Sequence, residues 1–259
     1  VTGKITEERS SHVATLVIDN TAKRNAISQA MWVELGERLE VLNADAQLRC
    51  VVVRGAGSLA FGSGADIEEF EQLRSSKEKG IAFGRQAHRA MQLLKACPVP
   101  TLAAIQGACI GGGMELAACC DIRIASEDAN FGIPIGRLGG VLAYPELEAL
   151  LAIATPSVAY ELLFEGRILT AEQAYVKGLI ARSVPSEAFD AEIARSVGNI
   201  SELAPLSARW HKQFIARLAT RQPLDEAQRN QAYDCFDTQD FQEGFKAFLE
   251  KRKPVFKGL

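Results

Sequence analysis

The stretch Ala96-Cys97-Pro98-Val99-Pro100-Thr101-Leu102-Ala103-Ala104-Ile105-Gln106-Gly107-Ala108-Cys109-Ile110-Gly111-Gly112-Gly113-Met114-Glu115-Leu116-Ala117-Ala118-Cys119-Cys120 contains one charged residue, Glu115. A lone carboxylate among so many apolar side chains is costly to ionise unless something uses it. Just before it, Gly111-Gly112-Gly113 suits a backbone that approaches a ligand closely and then opens a helix at Met114 with its first N–H groups free. Amide donors beside a carboxylate are the chemistry this segment offers. The segment is long enough to imitate a membrane helix, but Pro98, Pro100, the glycines and Glu115 argue against one. No membrane association is predicted.

Outward from this stretch, His12 to Ile18, Cys50 to Arg54, Thr101 to Ile105 and Ile122 to Ala125 are short and β-branched and read as strands. Helical patterns separate them. Ser28 is placed to cap a helix with the apolar stripe Met31, Leu35, Leu39 and Leu42. Strands alternating with helices predict an α/β core. From Thr170 the pattern shifts: Ala171 to Lys177 reads as a short helix, Leu179 to Val184 as a last strand, and nearly everything beyond Ser186 as helix, with Pro205 and Pro223 as helix starts. The predicted division is a 1–200 α/β core carrying the site and a 201–259 helical region. Near its end, Phe241, Phe245, Phe248 and Leu249 form one apolar face that needs a partner surface, either the chain's own core or another subunit. Glu68 to Lys79 is dense in charge and serine without an apolar stripe, so it reads as an exposed helix or a flap.

The chain of 259 residues, 47% hydrophobic and 24% charged, can bury a sizeable core. Its net charge of -3 offers no broad field for nucleic acid, despite the cluster Lys251-Arg252-Lys253. No nucleic-acid role is predicted. Cys50, Cys97, Cys109, Cys119, Cys120 and Cys235 show no CxxC spacing, which suits free thiols in a reducing compartment. His12, His88 and His211 lie far apart, so no metal site is expected. Without a basic, then apolar, then small-residue pattern at its start, the chain reads as unexported or already processed, and a cytoplasmic location is expected.

Gly55-Ala56-Gly57-Ser58-Leu59-Ala60 superficially fits G-x-G-x-x-A, but no strand ending in an acid follows about 20 residues on, as ribose recognition needs. A simple turn accounts for it. Phe61-Gly62-Ser63-Gly64-Ala65 lacks the outer glycines of a serine-hydrolase elbow. Alone, Gly62-Ser63-Gly64-Ala65-Asp66 is a turn and helix cap. Taken with Gly111-Gly112-Gly113, it provides a second glycine turn able to offer an N–H to the same carbonyl oxygen, as an oxyanion hole requires. A proton joins or leaves the carbon beside an acyl thioester only if charge building on that oxygen is stabilised. Glu115 is then the group to move the proton or activate water.

At these residues the chain resembles the crotonase, or enoyl-CoA hydratase/isomerase, superfamily. The likeness runs through Lys23-Arg24-Asn25-Ala26-Ile27-Ser28, Phe61 to Ile67, Pro100 to Ala104, Gly107 to Asp121, Gly166 to Gly178 and Gly244 to Arg252. The resemblance implies a spiral of ββα units with a helical C-terminal trimerisation region, giving a homotrimer or dimer of trimers. It implies that the N–H groups of Ala65 and Gly112 form the oxyanion hole. Lys23, Arg24, Ala26, Ala65, Asp66 and Ile67 would border coenzyme A, which enters as part of the thioester substrate, with no separate cofactor. Phe248 and Lys251 match closing-helix positions that touch the CoA portion, sometimes across a subunit boundary.

The chain departs from the family at the second acid and again downstream, where Leu142-Ala143-Tyr144-Pro145-Glu146-Leu147-Glu148 stands in place of a glycine-rich turn. Family hydratases carry two glutamates: Glu115 matches one, while Phe131-Gly132-Ile133-Pro134 is followed by Ile135 where the other stands. Isoleucine cannot transfer a proton, and losing a general acid or base typically costs about 10²- to 10⁴-fold. Glu146 is the nearby candidate to replace it, although a glutamate just after Pro145 also suits a helix start. Tyr144 is a weaker candidate. The resemblance therefore implies enoyl-CoA hydration or double-bond isomerisation, the latter needing only one shuttling base. The alternative is an acyl-CoA-binding protein that has lost rapid turnover with the second acid.

Overall fold

Alternation of buried side chains along β3 (Cys50–Gly55) shows how the chain is layered, and the computed structural model describes residues 3–259. Val51 and Val53 enter the main core, while Cys50 and Val52 point the other way and meet Phe189 and Ile193. A strand of period two buried on both faces must lie inside a covered sheet.

The chain enters this sheet through an antiparallel hairpin of β1 (Lys4–Ser10) and β2 (Val13–Asp19), followed by helix α1 (Gln29–Asn43). After β3 come β4 (Ala60–Gly62), α2 (Phe70–Leu73) and α3 (Lys77–Lys95). The next turn is β5 (Thr101–Ile105), β6 (Ala108–Ile110) and α4 (Gly112–Ala118). A third turn is β7 (Ile122–Ser126), β8 (Asn130–Gly132), a 3-10 turn at Ile135–Leu138, α5 (Tyr144–Ile153) and α6 (Pro156–Phe164). Each turn sends its first strand to one sheet and its second to another. The sheets run β1-β2-β3-β5-β7 and β4-β6-β8, the first completed by β10 (Arg182–Val184) and the second by β9 (Leu169–Thr170). This is the spiral of ββα units that the resemblance implied.

Helix α7 (Ala171–Val176) separates β9 from β10, and α8 (Phe189–Glu202), α9 (Pro205–Ala219), α10 (Glu226–Asn230) and α11 (Gln239–Leu249) follow. Ser28 caps α1 as expected, its hydroxyl accepting the Met31 N–H at 3.3 Å, and Met31, Leu35, Leu39 and Leu42 are all buried. Helix α8 runs through position 200 and lays Phe189 and Ile193 on the outer face of the larger sheet. Helix α9 is tied to the core by Lys212, whose Nζ donates to Asp121 at 2.7 Å and to the Val99 carbonyl at 3.0 Å.

Pro223 does not start a helix, contrary to the sequence reading. The start lies at Glu226, because Asp225 supplies the capping oxygen for the Gln228 N–H at 2.8 Å. The last strand is also shorter than expected, since only Arg182–Val184 pairs with β7. No helix among the described residues is long and apolar enough to cross a membrane.

Candidate active site

Two glycine turns meet beside α1. The chain leaves β4 at Gly62, passes Gly64 at φ +108°, and forms a single parallel bridge between Ala65 and Ile27. Ile27 N–H donates to the Gly64 carbonyl at 2.8 Å, and Asp66 N–H donates to the Ile27 carbonyl at 3.3 Å. In such a bridge the intervening N–H faces the other way, and that of Ala65 has no backbone acceptor among the described residues. The second turn is Gly111, at φ +51°, which reverses the chain from β6 into α4. Gly112 is the first residue of that helix, so its N–H has no acceptor within it.

Close backbone crossing holds the two turns together. A Cβ on Gly113 would lie 2.2 Å from the Gly62 carbonyl oxygen, so α4 can approach β4 only without a side chain there. The space beside Gly112 is open enough for a Cβ, which would stand 4.0 Å from the Ala65 nitrogen. The expected donors, Ala65 and Gly112, are therefore neighbours, and both line a cavity of about 220 Å³.

Glu115 lines the same cavity from the first turn of α4, between the buried Met114 and Leu116. Its carboxyl is pushed up to about 8 by desolvation first and by the nearby Glu146 second, with Arg74 opposing. Glu146 also faces the cavity. Its Oε2 accepts the Ala143 N–H at 2.5 Å, the helix-start role foreseen for it, and its Oε1 pairs with His88 Nε2 at 3.1 Å. Ile135 presents an apolar wall to this cavity, whereas Tyr144 is 89% exposed and not part of the lining.

Arg74 and His88 were not singled out in the sequence. Arg74 lies in the polar stretch after Asp66, which folds into a 3-10 turn (Ile67–Glu69), α2 and the start of α3. Its guanidinium carbon is 3.8 Å from the ring centroid of Phe83 and 4.6 Å from that of Phe70. His88 comes from α3, fifty-eight residues from its partner Glu146, and no local pattern announces that pairing.

The remaining expected contacts divide by location. Lys23 Nζ donates to Asp66 at 2.7 Å and to Glu68 at 2.8 Å, and these partners hold its pKa above the ordinary value. Arg24 is exposed at φ +51° beside the buried Ala26, and Ile67, 65% exposed, edges the cavity mouth. Phe248, 83% exposed, and Lys251 lie on and just after α11, away from this cavity; Phe248 instead borders a groove with Phe241 and Phe256.

The double-sheet spiral and the glycine-lined cavity with its buried acid define an enzyme of the crotonase superfamily. The chain belongs to the enoyl-CoA hydratase/isomerase family, whose sequence profile matches residues 8–259. It is similar to the crotonyl-CoA hydratase of Syntrophomonas wolfei, 31% identical over 252 residues covering 96% of each chain. The short-chain-enoyl-CoA hydratase of Clostridium acetobutylicum is 31% identical, covering 95% of this chain and 94% of that one. Among solved structures, an enoyl-CoA hydratase/carnithine racemase from Magnetospirillum magneticum superposes with TM-score 0.97 at 44% identity, covering 98% of this chain and 96% of that one.

Proposed function

We propose that this enzyme adds water across the double bond of a 2-enoyl thioester of coenzyme A, and catalyses the reverse dehydration. The observation that carries the reading is one cavity holding Glu115, Glu146 and the free N–H groups of Ala65 and Gly112. Those N–H groups act as the oxyanion hole, stabilising charge on the thioester oxygen as the enolate forms. Glu146, oriented by His88 and Ala143, takes a proton from water as its oxygen attacks the β carbon. Glu115, protonated below its pKa of about 8, delivers a proton to the α carbon. Solvent in the cavity returns the proton from Glu146 to Glu115.

Coenzyme A enters with the substrate, bordered by Lys23, Arg24, Ala26, Asp66 and Ile67. Phe248 and Lys251 would reach it from a neighbouring subunit of a homotrimer or dimer of trimers, a role supported by the exposed aromatic face of α11. The six free cysteines suit a cytoplasmic enzyme.

Double-bond isomerisation by Glu115 alone is the second reading, favoured by Ile135 and by the existing bonds to both Glu146 oxygens. Loss of crotonyl-CoA ultraviolet absorbance separates the two. Under hydration, Glu115→Gln and Glu146→Gln each lower turnover by about 10²- to 10⁴-fold. A Glu146→Gln variant with full hydration would remove that residue from the mechanism; rapid conversion of 3-enoyl-CoA without hydration would establish isomerisation. Tight thioester binding without turnover of either would make the chain an acyl-CoA binder.

A further inference from the structure

Arg74 stands in the wall of the cavity and forms no ion pair among the described residues. Phe70 and Phe83 contact the guanidinium through their rings and offer it no oxygen acceptor, so these contacts leave its five N–H donors to be satisfied elsewhere. Its Nε is buried with no acceptor among the described residues, and burial lowers its pKa while the charges of Glu115, Glu146 and Glu69 oppose without bonding it. Leaving a cation so placed is expensive unless a ligand completes it.

The three acids that influence it are otherwise occupied. Glu69 Oε2 accepts the Gln29 N–H at 2.8 Å. Glu146 is taken by His88 and Ala143. Glu115 holds its proton up to a pH of about 8. The cavity that Arg74 shares is walled largely by apolar side chains, among them Ala87, Ile135, Leu138, Val141 and Leu142. A purely hydrocarbon acyl chain would fit those side chains and leave the guanidinium edge dry and unpaired.

We propose that Arg74 receives a carboxylate carried by the acyl group, so that the substrates are CoA thioesters of unsaturated dicarboxylic acids. The inference rests on the acyl-CoA reading above and narrows it to a substrate class. A planar guanidinium with its edge free matches a carboxylate through two parallel hydrogen bonds, which a lysine cannot reproduce.

The test is calorimetric binding of saturated, unreactive thioesters: glutaryl- and adipyl-CoA against pentanoyl- and hexanoyl-CoA, which match them in carbon count. The wild-type enzyme is expected to bind the diacid thioester about 10- to 100-fold more tightly at one or both lengths. Arg74→Met, checked by thermal melting for an intact fold, is expected to weaken only the diacid complexes, and Arg74→Lys to recover part of the loss. Equal affinity for diacid and monoacid thioesters in the wild type would overturn the assignment of Arg74 alone. A Met variant that weakens both classes alike would do the same, making Arg74 a structural counter-charge. Failure of every thioester to bind would overturn the acyl-CoA reading together with it.

Discussion

Gly113→Ala tests whether the crossing of α4 over β4 positions the two amide donors. The added methyl would meet the Gly62 carbonyl oxygen at 2.2 Å, its carbon at 2.7 Å and its Cα at 2.9 Å, all of them backbone that no rotamer change can move. Restoring ordinary contact requires the two backbones to separate by about 1 Å. Overpacking of this kind costs about 1–3 kcal/mol, against roughly 1 kcal/mol gained from the better helix propensity of alanine. The net stability loss is therefore small, about 0–2 kcal/mol, and the main effect falls on geometry. Displacing α4 moves Gly112 N–H away from Ala65 N–H, and a misplacement near 1 Å costs about 10²-fold in rate. The matched control is Gly198→Ala in α8, where an added Cβ meets nothing within 4 Å. That control is expected to gain about 1 kcal/mol and keep full activity. Thermal melting and enoyl-CoA hydration kinetics on the three proteins decide it. A Gly113→Ala enzyme with wild-type turnover would refute the claim that this crossing sets the hole.

Three other perturbations probe other parts of the site. Glu115 has its pKa raised from the usual 4.5 to about 8, so the folded state binds the proton more tightly than the unfolded chain. Stability is then lost as pH rises between those values, and Glu115→Gln, which cannot titrate, should gain on the wild type by roughly 1–4 kcal/mol between about pH 5 and 8; parallel melting curves across that range would contradict this. Asn25 is buried at φ +56°, accepting the Asn20 N–H at 3.0 Å and donating to the Ala56 and Ala60 carbonyls. Asn25→Ala is expected to cost about 3–4 kcal/mol by denaturant titration, and a loss under 1 kcal/mol would show that the loop holds without those bonds. Lys23→Met should leave stability little changed because the lysine end of both ion pairs is open to solvent, yet raise KM for the thioester several-fold; an unchanged KM would separate Lys23 from CoA binding.

How far the chain could be read follows from the range over which each feature is encoded. β3 and β5 were legible because their burial is continuous, and the α1 stripe because it repeats over four turns. β1 escaped because only Ile5 of Lys4–Ser10 is fully buried, and an edge strand carrying charge has no apolar alternation to show. β4, β6 and β8 are three residues each, too short for a period, so the second sheet had no signal of its own. The site divides in the same way. Glycines 111–113 and Glu115 are contiguous and could be read together, whereas Arg74 depends on Phe83 and Glu146 on His88, contacts made only when α3 folds across the cavity. Ile135 was recognised as a lost acid, but its effect depends on this three-dimensional setting. An apolar side chain in the cavity that Glu115 lines adds no charge there, while an ionised acid would add repulsion between two carboxylates. The substitution therefore changes the electrostatics of the cavity as well as removing a proton carrier: the surviving acid is neutral near pH 7, its partner carboxylate comes from α5, and the positive charge of Arg74 is left without an anion of its own.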